Sequence, residues 1–239
     1  MTFLQPLVVI MEEVVWVTLR QEVPMGERIA QIARPLIHET AQVSPHATIG
    51  AGTRIWHFAQ VREEARIGQN CIVGKGAYID LDVEIGSNCK IQNSCMVYHG
   101  ATLMDGVFLG PGVILTNDRR PRAVNTDGSL KSAADWAVEG ILIQEGASLG
   151  AGTVVLPGVI IGRWAMVGAG SVVTHNVPDH GLVWGNPARL QGFVCPCGSR
   201  LQEAQALVAG SSTVRMMCPD CGRYVEIPVR AYDQLKEKA

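Results

Sequence analysis

The sequence predicts an all-β chain wound as a triangular prism of short parallel strands, followed by a small cysteine-bearing module. Three observations carry this. An aliphatic residue returns at every sixth position, at Ile37, Val43, Ile49, Ile55, Val61, Ile67, Val73, Ile79, Ile85, Ile91, Val97, Leu103, Leu109 and Leu115. Four residues after most of these stands a small residue, as at Ala41, Ala47, Thr53, Ala59, Ala65, Cys71, Ala77, Cys89, Cys95 and Ala101. Glycine follows the aliphatic residue repeatedly, at Gly50, Gly68, Gly74, Gly86 and Gly110. A helix would scatter every sixth residue around its axis, and a flat strand of period two would not reset at glycine. Short strands joined by tight corners place both repeating residues inside. Three hexads then close one coil, and successive coils stack as parallel strands about 4.8 Å apart.

Composition agrees. A chain of 239 residues suits one sizeable domain, or one with a small appendage. Its 26 glycines and 5% aromatic residues favour a tightly turning repetitive backbone over a layered core. The net charge of −2, with no basic face, argues against nucleic acid as a partner.

Residues 1–36 do not follow the repeat. Their apolar run, "LVVIMEEVVWVTL", is broken by Glu12 and Glu13, and neither half reaches the roughly 20 residues of a membrane span. No basic residue precedes the run and no small-residue cleavage site follows it, so the expectation is a cytoplasmic protein without signal peptide or membrane association. Two readings of the segment stand: an N-terminal cap on the prism, or an upstream extension with Met25 as the natural start.

The prism is expected over 37–192. Its rhythm stops after Leu115 and resumes at Ile143, Leu149, Val155, Ile161, Val167 and Val173. The step from Leu115 to Ile143 is 28 rather than 6, an insertion of 22 residues, which sets an inserted loop at 116–142. A loop this long within a compact repeat points to function or disorder. It carries "NDRRPR", where Arg119, Arg120 and Arg122 offer guanidinium forks that match phosphate or carboxylate oxygens.

Residues 18 apart fall in one column of the prism. His57, Lys75 and Asn93 form one such column on an outward corner, and Leu81, His99 and Asn117 form another. Tyr98 stacks between Asp80 and Thr116. Each of these residues has a plain reading as a solvated corner side chain; together they suggest a lined groove. In the later coils, "LGAGT" and "VGAGS" place Ala151 and Ala169 in one column beside glycine turns. Cys71, Cys89 and Cys95 occupy the small inward slot, where a thiol behaves as a compact hydrophobe.

Residues 193–239 change character. "CPCG" and "CPDCG" supply Cys195, Cys197, Cys218 and Cys221 in two close pairs, each followed by glycine. Four thiolates so spaced suit a tetrahedral structural zinc ion, which would stabilise a module too small for a core of its own. Disulfides are the rival reading, and a cytoplasmic address disfavours them.

Several stretches then narrow the pattern. The hexad repeat resembles the hexapeptide-repeat family, whose fold is the left-handed parallel β-helix. "TRIWHFAQV", "CKIQNSCMVY", "VFLGPGVILTNDRRPRA" and "VPDHGLVWGNPARLQG" are similar to bacterial sugar-nucleotide N-acetyltransferases. Among these, the resemblance is to enzymes acetylating the 3-amine of UDP-2-acetamido-3-amino-2,3-dideoxyglucuronate for surface polysaccharide. It implies a homotrimer with acetyl-CoA in the cleft between neighbouring prisms and a UDP-amino sugar as second substrate. It further implies Asn93 as the residue orienting the sugar amine or the carbonyl, and His57, Lys75, Tyr98, Asn117 and Arg122 as substrate contacts. Ala151, Ala169, Pro187 and Arg189 fall to the CoA, with Arg189 near a CoA phosphate. His99 has the chemistry of a base, since an unperturbed imidazole titrates near pH 6.5. In "VYHG" it stands where the family pattern tends to carry other residues. A similar zinc-ribbon tail occurs in some relatives.

Two rival classes use the same prism or need no chemistry. Hexapeptide prisms also build carbonic-anhydrase-like metalloenzymes with three histidines around zinc, but His38, His46, His57, His99, His175 and His180 form no column. A non-catalytic scaffold is the other, separable by whether the chain binds CoA.

Overall fold

The computed structural model describes residues 34–204 and 211–236. The choice between an N-terminal cap and a start at Met25 lies outside the described residues. The chain forms a left-handed parallel β-helix of about eight turns, then a three-stranded antiparallel sheet and one helix.

Before the terminal hairpin, every strand of the helix has two or three residues. They fall into three faces. The first runs from Leu36–Ile37 through Lys90–Ile91 to Met166–Val167 and ends in the hairpin Gly181–Gly185 and Ala188–Phe193. The second runs from Gln42–Val43 to Val172–Val173, and the third from Thr48–Ile49 to Ile160–Ile161. Pairing is parallel and one coil apart: Lys90 faces Phe108 and Ile91 faces Leu109. We number the corners I (first to second face), II (second to third) and III (third to first).

The repeating aliphatic residues point inward. Ile55, Ile79, Ile91, Leu109, Leu115, Ile143 and Leu149 are fully buried. Each such side chain contributes about 1.5–3 kcal/mol by leaving water. The small slot beside them is as dry: Ala59, Ala65, Cys71, Cys89 and Cys95 have no exposure. The three thiols donate to corner carbonyls, Cys71 to Gly86, Cys89 to Met104 and Cys95 to Gly110, each at 3.1 Å. Burial pushes the Cys95 thiol up to about 11, so it remains a thiol at neutral pH. That is the behaviour of a core residue and not of a nucleophile.

Corners are tight. A Cβ on Gly68 would lie 2.6 Å from the carbonyl carbon of Gly86 in the next coil, so only glycine fits. The third corner position is left-handed in coil after coil, with φ of 57° at Phe58, 58° at Glu64 and 60° at Asn88. The stacked coils hold these residues in a conformation that costs an isolated non-glycine residue about 1–2 kcal/mol.

Register survives the interruption. Leu115 pairs with Val155 across it, as Val97 pairs with Leu115 below it. The inserted segment ends at Gly140 and not at residue 142, because the strand Ile141–Ile143 pairs with Ala101–Leu103. Ile141 is 2% exposed and fills the inward slot above Ala101, a place that the six-residue count assigned to the loop.

The helix ends under a lid. The core cluster continues without a break from Val177 and Val183 through Leu190 and Phe193 to Leu201, Val214, Ile227, Ala231 and Tyr232. The antiparallel sheet is Gln202–Glu203, Thr213–Met217 and Tyr224–Pro228. The C-terminal helix Val229–Lys236 packs on the Ala188–Phe193 strand and on this sheet.

Candidate active site

Corner I carries one unbroken column. Gly76 N–H donates to His57 O, Ser94 N–H to Lys75 O, Gly112 N–H to Asn93 O, Gly152 N–H to Pro111 O and Gly170 N–H to Ala151 O, all at 2.8–2.9 Å. The second corner position therefore reads His57, Lys75, Asn93, Pro111, Ala151, Ala169 from bottom to top. Two groups that the spacing kept apart, the polar residues and the alanines, share one edge. Its lower half is polar, and its upper half is Gly-Pro-Gly, Gly-Ala-Gly, Gly-Ala-Gly, a strip without long side chains. The terminal hairpin closes the top: Gly185 N–H donates to Ser171 Oγ at 3.2 Å, and the turn with Asn186 and Pro187 stands beyond Gly168–Ser171. Pro187 and Arg189 are both exposed there.

Asn93 has a structural duty. Its Oδ1 accepts the Lys75 N–H at 2.9 Å, tying one coil to the next, and its Nδ2 amide is the group left for a ligand. Lys75 and His57 are exposed, and the His57 ring stacks on His38 with centroids 3.5 Å apart.

Corner II carries His99. Its Nδ1 lies 2.8 Å from Leu81 O. A carbonyl oxygen only accepts, so Nδ1 bears the hydrogen and neutral His99 keeps its lone pair on Nε2. Asn117 donates from Nδ2 to His99 O at 3.3 Å, so Leu81, His99 and Asn117 are the stacked column that the spacing predicts. Below them Asp80 is a hub that the sequence did not single out. Its carboxylate accepts from Tyr78 Oη at 2.8 Å, Leu81 N–H at 2.8 Å, His99 N–H at 3.2 Å and Arg62 at 3.4 Å. Tyr98 is half-buried, its ring 5.7 Å from that of Tyr78.

The inserted loop leaves corner II at Asn117 and returns at Glu139, whose N–H donates to Asn117 O at 3.4 Å. Arg119 also has a structural part at the foot of the loop. It pairs with Glu139 Oε2 at 2.9 Å and donates to Pro157 O at 2.5 Å, so it clamps the base of the loop. Arg120 and Arg122 are exposed and, with Arg119, Pro121 and Lys131, line an open cavity of about 620 Å³. Lys131 is a basic residue that the hexad count gave no reason to notice. A bridge between Val124 and Leu130 and a capped 3-10 turn at Ala133–Asp135 give the loop internal order. Asp135 accepts from the Ser132 backbone N–H and then its hydroxyl, each at 2.7 Å, which holds its carboxyl below the usual range.

A second cluster lies at the end of the chain. Cys195 Sγ is 3.5 Å from Cys221 Sγ, Cys197 Sγ is 3.5 Å from Cys218 Sγ, and all four lie within 4.8 Å of one another. Tetrahedral Zn–S bonds of about 2.3 Å put sulfurs about 3.8 Å apart, so the four thiols fit that ion. Each pair sits on a tight turn, Gly198 N–H donating to Cys195 O at 2.8 Å and Gly222 N–H to Cys218 O at 3.0 Å. Two of the thiols are pulled in opposite senses. The Ser199 backbone N–H, then its hydroxyl, lowers Cys197, while burial raises Cys195.

The bacterial transferase hexapeptide (six repeats) matches residues 36–80, 82–117 and 140–175, and the hexapeptide repeat of succinyl-transferase matches 64–99. The chain belongs to the bacterial hexapeptide-repeat transferase family. Over 61 residues this hexapeptide protein is 42% identical to a dTDP-3-amino-3,6-dideoxy-α-D-galactopyranose 3-N-acetyltransferase of Aneurinibacillus thermoaerophilus. That match covers 26% of this chain and about a third (32%) of the curated relative. A UDP-N-acetylglucosamine acyltransferase from Bacteroides fragilis shares the fold, with a TM-score of 0.53 at 17% identity, over 67% of this chain and 61% of that one. A perosamine N-acetyltransferase variant from Caulobacter crescentus, solved with CoA and GDP-perosamine, is 26% identical at a TM-score of 0.44, over 70% of this chain and 62% of that one.

Proposed function

We propose that this protein is an acetyl-CoA-dependent N-acetyltransferase acting on the amine of a UDP-linked amino sugar in surface polysaccharide biosynthesis. The observation that carries the reading is the division of corner I into a polar foot and a bare strip, on a prism whose next corner presents His99 with Nδ1 bound to Leu81 O. A relative acetylating a nucleotide-linked amino sugar supports it.

Acyl transfer from a thioester needs a neutral amine, a place for the developing negative charge, and close approach of the two substrates. The amine nitrogen bonds the acetyl carbon while His99 takes its proton at Nε2, Nδ1–H staying on Leu81 O; the C–S bond then breaks and CoA leaves as the thiol with that proton. Asn93 donates from Nδ2 to the amine's sugar or to the acetyl carbonyl; an amide has no basic lone pair, so its part is orientation. His57, Lys75, Tyr98 and Asn117 flank the sugar, and Arg122 meets the diphosphate from the loop. The acetyl-CoA chain lies along Ala151 and Ala169, where short side chains let it approach the backbone, and runs toward Pro187 and Arg189, with the guanidinium on a phosphate. Asn93 and His99 stand on different corners of one prism, so a site using both forms between subunits of a homotrimer. A zinc ion on Cys195, Cys197, Cys218 and Cys221 would be structural, since four cysteines leave no open position for a substrate.

The test is release of free CoA thiol from acetyl-CoA over a panel of UDP-, dTDP- and GDP-linked amino sugars. Turnover confined to one or more UDP-amino sugars is the expected result. Failure of every sugar, together with no CoA binding by calorimetry, would leave a scaffold instead.

A further inference from the structure

The four cysteines are joined by one strand to the hairpin that closes the strip assigned to the cofactor. The strand Ala188–Phe193 runs straight from the Arg189 turn into Cys195, through Val194. That junction is dry: Phe193, Val194 and Cys195 are at most 1% exposed. It is also tied on three sides. Val194 N–H donates to His180 O at 2.7 Å, Leu201 N–H donates to Phe193 O at 2.8 Å, and Arg200 donates to Gln191 O at 2.5 Å. Val194 and Arg200 form an antiparallel bridge, so the first cysteine pair stands on an extension of the hairpin. The second pair follows the Thr213–Met217 strand, whose end pairs with Gln202–Glu203, and it meets the first pair through sulfur and through the bond from the Ser199 hydroxyl to Asp220.

We propose that a metal ion on these four thiolates is the clasp that fixes the terminal hairpin, and so sets the affinity of the coils for CoA at the Arg189 end. This rests on the four-thiolate and CoA readings given above. The reasoning is one of linkage. The ion binds only where both cysteine pairs are in place, so its binding free energy stabilises the arrangement that joins them. That arrangement includes the strand that presents Arg189. The coils below are held by parallel ladders of their own and need no ion. The lever is therefore local: metal loss acts on the hairpin and module, and leaves the earlier coils alone. Arg189 is in this account a ligand contact, and the cysteines are positioning residues.

The experiment uses the full chain as purified, with three measurements. Replacement of the bound metal by cobalt reports the ligand set through tetrahedral d–d bands and thiolate-to-cobalt charge transfer. Amide exchange by mass spectrometry, before and after chelation, reports order in 181–194 against order in 54–115. Calorimetry with CoA follows affinity in the same two states, and with the single variants Cys221→Ser and Arg189→Ala. The expected result is one metal per chain, exchange in 181–194 faster by tenfold or more without it, unchanged exchange in 54–115, and CoA bound about tenfold more weakly by the apo protein. Cys221→Ser should behave as the apo protein does, and Arg189→Ala should lose CoA affinity while keeping both metal and protection. Absence of the cobalt bands would overturn the four-thiolate reading itself. Cobalt bands with unchanged exchange in 181–194 would overturn the clasp while leaving the metal site standing. Faster exchange with unchanged CoA affinity would overturn the link between clasp and cofactor, and CoA failing to bind the metal-loaded chain would overturn the cofactor reading instead.

Discussion

In the proposed reaction His99 is the base, and a backbone contact orients its ring. Leu81 O occupies Nδ1, Asp80 holds the peptide N–H groups of both Leu81 and His99, and Nε2 is left for the amine. His99→Ala keeps the N–H that Asp80 uses, so the corner should stand while turnover falls by about 10²–10⁴-fold. The readout is the pH–rate profile, whose acid limb should vanish with the side chain; an unchanged profile would remove His99 from the chemistry. Asp135 gives a second test. Its folded-state pKa is depressed by the Ser132 N–H and hydroxyl, so the turn it caps is supported above the usual aspartate pKa and loses that support as pH falls through the folded value. Trp136 fluorescence should therefore shift on acidification below about pH 4, and Asp135→Asn should abolish the shift. At this scale the sequence is readable wherever a residue's neighbour lies one coil away. The column Leu81–His99–Asn117 follows from counting alone. Arg119 does not, because its partners Glu139 and Pro157 are brought near by the path of a loop that no period describes. Asp80 escaped because a lone carboxylate at a corner looks like any solvated one until its four donors are seen.

Among the elements, the corner is the unit that decides stability. Gly68 and Gly112 both look like turn glycines in the sequence, yet they are under different constraints. Gly112 has φ of 69°, and a methyl group there would meet no heavy atom within 4 Å, so Gly112→Ala should lose only the backbone preference, about 1–2 kcal/mol. Gly68 would drive a methyl into the carbonyl of the next coil at 2.6 Å, and Gly68→Ala should lower the melting temperature further than Gly112→Ala does. Calorimetric melting of the pair ranks them, and equal losses would contradict the close stacking of coils. The inserted loop is the opposite case. Its ends are joined by the bond from Glu139 N–H to Asn117 O, so deletion of 119–138 should leave the prism's melting intact while abolishing binding of the nucleotide sugar. The existence of this element is plain in the broken rhythm. Its inner bridge between Val124 and Leu130, and its return at Ile141 in place of Ile143, are not, because a three-residue strand and a two-residue strand carry the same hexad signature.

For the whole molecule, the aliphatic and small positions come close to writing out the fold, since a solenoid makes each residue's place a matter of arithmetic. The terminal lid is less legible. Its cysteine spacing announces a four-thiol cluster, but the continuity of Phe193, Leu201 and Tyr232 with the prism core has no periodic sign. Assembly is the property that tests the whole reading: light scattering should return three chains, and His99→Ala mixed with Asn93→Ala should recover activity in mixed trimers if each site draws on two subunits. Recovery would be absent if one chain held a complete site. Pairing of Leu115 with Val155 over the top of the loop also bears on how such a molecule can change. An excursion that departs and returns at a corner preserves the phase of everything downstream, however long it is. A single residue gained inside a wall would turn all later aliphatic side chains toward water. Lineages of this kind are free to rewrite what they recognise only at the edges, and the sides must be inherited whole.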